Sequence, residues 1–124
     1  MKLTFAILFA IQFCLDIATN KCLTAQNVLI LLIHHQFSIM FNFGWLLNDK
    51  TLLKLYLILC SATLIHWQLN DSKCISTEIF NKNCGYTHYE YFHDFFYFAE
   101  IKSLHTYYII LAMFIALYKI LFFP

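Results

Sequence analysis

Val28-Leu-Ile-Leu-Leu-Ile-His-His-Gln-Phe-Ser-Ile-Met-Phe-Asn-Phe-Gly-Trp-Leu-Leu47 holds no Asp, Glu, Lys or Arg, and most of its side chains are apolar. A helix needs roughly 17–25 such residues to cross the hydrocarbon core of a bilayer. Asn48-Asp49-Lys50 follows as a tight polar turn, and residues 52–69 form a second apolar run. So short a turn makes the two helices antiparallel neighbours. Residues 3–18 and 104–123 are apolar runs of similar length. Backbone polar groups in lipid must all be paired, so such spans are helical. The expectation is an all-α chain: a four-helix transmembrane bundle with spans at about 3–19, 27–47, 51–69 and 103–123 and one extramembrane loop, 70–102.

Composition points the same way. Hydrophobic residues make up 61% of the chain and charged residues 12%, against roughly 45–50% and about 25% in soluble domains. That is too little charge to solvate water-facing helices. The 124 residues allow a single multi-pass membrane domain, 1–124. Its formal net charge is +1 and arginine is absent. Nucleic acid is therefore excluded as a partner, and the lipid bilayer is the expected one. Lys2 before an apolar stretch also fits a cleaved signal peptide. Asp16, two positions before Ala18, and the length of the run favour a retained first helix. Lys2, Lys50, Lys54 and Lys119 fall on one side of the spans, and Lys21, Lys73, Lys82 and Lys102 on the other. The first group sits in very short flanks, where the positive-inside bias acts most strongly. This favours cytoplasmic termini.

Helical spacing sorts the spans into faces. Asn27, His34, Ser38 and Asn42 share a stripe of the second span, with His35 at its edge. His105, Tyr108, Ala112, Ala116 and Lys119 line up in the fourth. Ala112 and Ala116 form a small-xxx-small pair suited to close helix packing. Ala6, Ala10 and Cys14 make a comparable small face in the first span, opposite a polar face of Gln12, Asp16 and Thr19. Lys54, Ser61 and Gln68 share a face of the third. These stripes are expected to line the bundle interior, although lysines near helix ends also snorkel to headgroups.

Cys74 and Cys84 lie in the long loop, and Cys22 reaches the same membrane face. On an oxidising face a Cys74–Cys84 disulfide is expected. Cys14 and Cys60 lie within spans, as small packing residues. Asn70-Asp71-Ser72 fits the N-glycosylation pattern. The stretch 86–98 is densely aromatic and reads as a short interfacial helix, with Tyr89, Phe92 and Phe96, together with Trp67, as interface anchors.

The six histidines carry the sharpest chemistry. His66 ends the third span and His105 begins the fourth; His34 and His35 lie roughly 13 Å along their helix. Two neutral imidazoles on facing helices can hold a metal or haem, so His66 and His105, with His34, are the candidate ligands. Asp16 with His66 or His105 would make a proton-relay pair. Glu90 and His93 copy one Glu-x-x-His element, where di-iron bundles use two. No phosphate loop, nucleophile elbow or zinc-protease motif is present, so no catalytic set is complete. Three activities remain: packing with itself, as a homo-oligomer, or with a membrane partner; a histidine-ligated metal or haem redox protein; and an oligomeric pore lined by the second span's polar stripe.

His66-Trp67-Gln68-Leu69-Asn70-Asp71-Ser72-Lys73-Cys74-Ile75-Ser76-Thr77-Glu78 resembles a signature of small uncharacterised multi-pass membrane proteins of large DNA viruses and protists. Its cysteine element is also similar to that of a bacterial family of small membrane proteins, without that family's proline. The viral and protist resemblance implies that His66, Trp67, Asn70, Cys74 and Glu78 form a local unit. In it Trp67 would anchor at the interface, Asn70 would turn the chain, and Ser76 or Thr77 would cap a short helix.

Overall fold

The computed structural model describes residues 2–20, 22–86 and 102–123. All regular structure among them is helical. The helices are α1 (Lys2–Thr19), α2 (Ala25–Phe43), α3 (Lys50–Leu69), α4 (Ile75–Cys84) and α5 (Lys102–Phe122), with a 3-10 turn at Gly44–Leu46. Three segments are long and apolar enough to cross a membrane: Ala25–Leu46, Lys50–Leu69 and Leu104–Phe122. Four were expected. The apolar helix Leu3–Thr19 is shorter, because the chain leaves the helix at Asn20, whose side-chain oxygen accepts from the Cys22 N–H at 3.1 Å. The aromatic interfacial helix, with Tyr89, Phe92, Phe96, Glu90 and His93, lies outside the described residues.

Local chemistry explains where the helices start and stop. Thr24 caps α2 by accepting from the Asn27 N–H at 3.2 Å, and Asp49 caps α3 by accepting from the Leu52 N–H at 2.9 Å. Each satisfies a donor that the first turn leaves open. The α-helix of the second span ends at Phe43, short of the expected residue 47, and tightens into the 3-10 turn. Gly44 packs directly on the Tyr56 ring; a Cβ there would lie 2.9 Å from Cε2 and closer still to Cδ2. Gly85 ends α4 at φ 67, a left-handed conformation that costs glycine little.

Packing divides the chain into two helix pairs. α3 and α5 form the broader contact, built on Leu53, Tyr56, Cys60, Ile109, Ala112 and Ala116, with Phe41 of α2 joining them. Ala112 and Ala116 are buried as the small-residue spacing predicted. The α3 face of Lys54, Ser61 and Gln68 is instead exposed, since the apolar Leu53–Tyr56–Cys60 stripe is the one α5 takes up. α1 packs antiparallel on α2, and here the expectation is reversed. Ala6 and Ala10 face outward, while Gln12 and Asp16 are buried at 1% and 0% exposure. Polar groups gain more from partners on α2 than two alanine methyls gain from burial.

α4 lies along the first half of α2 in the opposite direction. Its contacts form a ladder: Ser76 with His34, Phe80 with Leu31, Asn83 with Asn27, and a disulfide between Cys84 and Cys22. The bridge therefore joins Cys84 to Cys22 and not to Cys74, which lies at the other end of α4 outside any disulfide. A helix of ten residues separates Cys74 from Cys84, by roughly 15 Å at 1.5 Å per residue, beyond disulfide reach. Across a sequence separation of 62 residues, the chain-entropy contribution is about 4 kcal/mol. Asn70 does turn the chain: its amide donates to the Lys73 carbonyl at 3.1 Å and to Glu78 Oε2 at 2.7 Å. Those bonds commit the amide of the glycosylation pattern. Cys74, rather than Ser76 or Thr77, occupies the cap position of α4.

Non-reducing mass analysis of tryptic peptides will find the Cys22–Cys84 link intact in Cys74→Ser and absent in Cys22→Ser. Gly44→Ala will lower stability in detergent by about 1–3 kcal/mol, the usual cost of overpacking a full site, measured as a lower unfolding midpoint.

Candidate functional site

A chain of hydrogen-bonded side chains runs through the protein. Asp16 Oδ2 and His35 Nε2 are 2.9 Å apart, both side chains fully buried. Gln12 Nε2 donates to His35 Nδ1 at 2.9 Å and to Ser38 Oγ at 3.0 Å. Because Nδ1 accepts, the ring proton sits on Nε2 and is donated to the Asp16 carboxylate. Asn42 Nδ2 donates to the Ser38 carbonyl at 2.9 Å and contacts Ser38 Oγ at 3.3 Å. His105 Nε2 in turn donates to Asn42 Oδ1 at 2.7 Å. Further along, Tyr108 and Trp45 both donate to the Asn42 carbonyl. Lys119 Nζ donates to Trp45 O, Leu47 O and Asn48 Oδ1 within 3.0–3.2 Å.

The expected partner of Asp16 was His66 or His105; the structure gives it His35. The short link after α1 makes α1 antiparallel to α2, and antiparallel register brings Asp16 against His35 and Gln12 against Ser38. Sequence spacing did place Gln12 and Asp16 on one polar face. It put His34 rather than His35 at the centre of the α2 stripe, one position off. Two amides interrupt the chain. Gln12 and Asn42 do not release protons near neutral pH, so the chain is no continuous proton wire. It holds α1, α2 and α5 in one register.

Beside this chain lies a cavity of about 400 Å³ between α2 and α3. Its wall is mainly apolar, from Ile33, Phe37, Phe41, Leu59, Ala62 and Trp67. The three candidate ligand histidines, His34, His66 and His105, all border it, with Cys74 and Ser76. Sequence reasoning thus named three histidines that the fold does bring to one place. They do not converge as ligands: among the described residues no three His, Cys, Asp or Glu side chains are grouped to hold a metal ion. His105 is turned toward Asn42 and His34 toward Ser76. His66 Nε2 is buried with no hydrogen-bond partner among the described residues.

The mouth of the cavity faces outward between the two helices. Ile33 and Phe37 are 57% and 49% exposed at its edge. Trp67 does not stand free as an anchor; it packs edge-on to Phe41 at 5.5 Å and against His105 at 5.7 Å, closing the inner wall.

Depth along the helices also differs from expectation. His34 lies nine residues into α2, yet Asp16, paired with its neighbour His35, is only three residues before the end of α1 at Thr19. The first turns of α2 therefore stand out past α1, covered by α4. His34, Cys74 and Ser76 lie near the level of the end of α1.

At that level three groups meet. Cys74 Sγ and Ser76 Oγ are 2.9 Å apart, Ser76 Oγ and His34 Nδ1 3.1 Å, and Cys74 Sγ and His34 Nδ1 3.8 Å. No motif pattern announces this cluster, because its members come from α2 and from the start of α4. Only the spacing of Cys74 and Ser76 was visible in advance.

Removing one member of the buried pair leaves the other uncompensated, which typically costs 3–5 kcal/mol. Asp16→Ala and His35→Ala will each destabilise the protein by about that amount. The double variant will lose clearly less than the sum, with a coupling of about 1–3 kcal/mol, read from unfolding in detergent. Comparison of the chain with protein-family models, with curated proteins and with solved structures finds no match.

Proposed function

We propose that this chain is a multi-pass membrane protein whose helices α1, α2, α3 and α5 form a transmembrane bundle, and that it holds one acyl chain of a lipid-like amphiphile in the cavity between α2 and α3. The observation that carries this is the cavity's division of character. Its walls are apolar and its mouth opens sideways between two helices apolar enough to span. His34, Cys74 and Ser76 cluster at one end of the cavity, beside the start of α4, and Ser38, Asn42, Thr63, His66 and His105 border it elsewhere. An amphiphile in a bilayer has the same polarity: an alkyl tail toward the core and a polar group at the interface. The volume falls within the roughly 300–1,000 Å³ of small-molecule sites, and it suits one chain rather than an intact two-chain lipid.

The sideways mouth is what supports a lipid over a water-soluble ligand. A solute from water would have to pass exposed Ile33 and Phe37, whereas an alkyl chain already in the bilayer meets like surface. His66 Nε2 supplies a donor or acceptor that the described protein leaves open. The Cys22–Cys84 disulfide supports an oxidising face, lumenal or external, for this end of the bundle. That sidedness agrees with the lysine distribution.

A fatty acid carrying a photoreactive group along its tail tests the reading on protein reconstituted in vesicles. Cross-links will concentrate on the cavity residues of α2 and α3, and Ala62→Phe, which narrows the mouth, will reduce them several-fold. Labelling spread evenly over outward residues such as Phe114 and Leu121, unchanged in Ala62→Phe, would remove the proposal.

A further inference from the structure

We propose that Cys74 is an acyl-accepting nucleophile, with His34 as its base and Ser76 as the bridge between them, and that it takes a fatty acyl group from a glycerophospholipid ester. The inference rests on the acyl-chain reading of the cavity and adds a covalent step to it. Three observations support it. Cys74 is a thiol outside the disulfide, half-buried on the cavity wall. Its sulfur reaches an imidazole nitrogen in two ways: directly at 3.8 Å, and through Ser76 Oγ by contacts of 2.9 and 3.1 Å. The thiol also occupies the N-cap position just before α4 without capping any backbone donor. The first-turn N–H groups of that helix thus stand beside the sulfur uncapped by its side chain, as donors toward an oxyanion formed there.

The step balances without any outside oxidant or reductant. His34 Nδ1 takes the thiol proton, directly or by way of the Ser76 hydroxyl. The thiolate attacks the ester carbonyl, whose negative charge faces the α4 N-terminus. The C–O bond then breaks, His34 returns the proton to the departing alkoxide, and the products are a Cys74 thioester and a lysophospholipid. No metal is needed. The thioester is less stable than the ester, so the large excess of phospholipid over protein in the bilayer drives the exchange by mass action.

The position favours this donor. His34 and Cys74 lie near the level of the end of α1, and in the four-span reading that level is where the ester bonds of a surrounding bilayer run. The nearby disulfide supports an oxidising compartment for that face, in which lipid esters are the acyl groups at hand. Cys14, exposed on α1, and Cys60, buried between α3 and α5, provide comparison thiols in the same chain.

The full-length protein, reconstituted in phosphatidylcholine vesicles with isotope-labelled acyl chains, provides the test. Intact mass and peptide mapping before and after neutral hydroxylamine are the readouts. One labelled acyl group on Cys74, removed by hydroxylamine and absent from Cys14 and Cys60, is expected. His34→Gln will slow its appearance by roughly 10²-fold or more, the usual worth of a general base, and Cys14→Ser will leave it unchanged. Equal acylation of Cys14 and Cys74, or an unchanged rate in His34→Gln, would overturn the proposal in favour of indiscriminate thiol chemistry. An unmodified Cys74 in protein that still cross-links the photoreactive fatty acid in its cavity would overturn the covalent step alone. Loss of both signals would overturn the cavity reading with it.

Discussion

An aspartate and a histidine enclosed together, Asp16 against His35, set the terms for the rest of the molecule. Neither side chain touches solvent, and a buried charge is tolerated only when paired and hydrogen-bonded. That requirement has one solution between α1 and α2. The helices run antiparallel in the register that also brings Gln12 to Ser38. Sliding α1 by a single turn would strand Asp16 among apolar side chains. Apolar packing between helices in lipid is nearly indifferent to register; polar contacts are not. The same logic extends through Asn42 to His105 and joins α5 to the pair.

Fixing α1 against α2 has a consequence at the loop end. α1 stops near the level of His34, while α2 continues beyond it. Its protruding turns would expose Leu31 if nothing covered them. α4 does so, placing Phe80 on Leu31, and the Cys22–Cys84 bridge closes the far end. α4 begins only five residues after α3 ends, in a turn held by Asn70 and Glu78 and passing through positive φ at Asp71 and Ser72. The start of α4 is thereby brought back against His34. The cavity and the thiol–imidazole cluster both follow from this return.

Stability and chemistry occupy different parts of the polar inventory. Asp16, His35, Gln12, Ser38 and Asn42 form one hydrogen-bonded chain inside the protein, and amides interrupt that chain, so it holds helices rather than conducting protons. His34, His66, Cys74 and Ser76 border open space. Histidines that look alike in sequence therefore differ in kind: His35 is a register element, His105 a link to Asn42 at the cavity wall, His34 the partner of Ser76 and Cys74, and His66 a further border of the cavity.

The sequence alone determined that the described chain is helical, where the long apolar segments lie, that α2 and α3 are antiparallel neighbours, that Ala112 and Ala116 pack inward, and that Asn70 turns the chain. These follow from local rules: run length, turn length, small-residue spacing and the bonding habits of asparagine. It also marked His34, His66 and His105 before the fold assembled them. The tertiary structure decided which cysteine pairs with Cys84, which face of α1 is buried, which of two adjacent histidines meets Asp16, and that Cys74 stands beside His34. Each of these depends on the axial offset between helices far apart in the chain. Apolar periodicity leaves that offset free, because greasy surfaces slide past one another at little cost. Only the matching of buried donors, acceptors and charges across the helix contacts sets it.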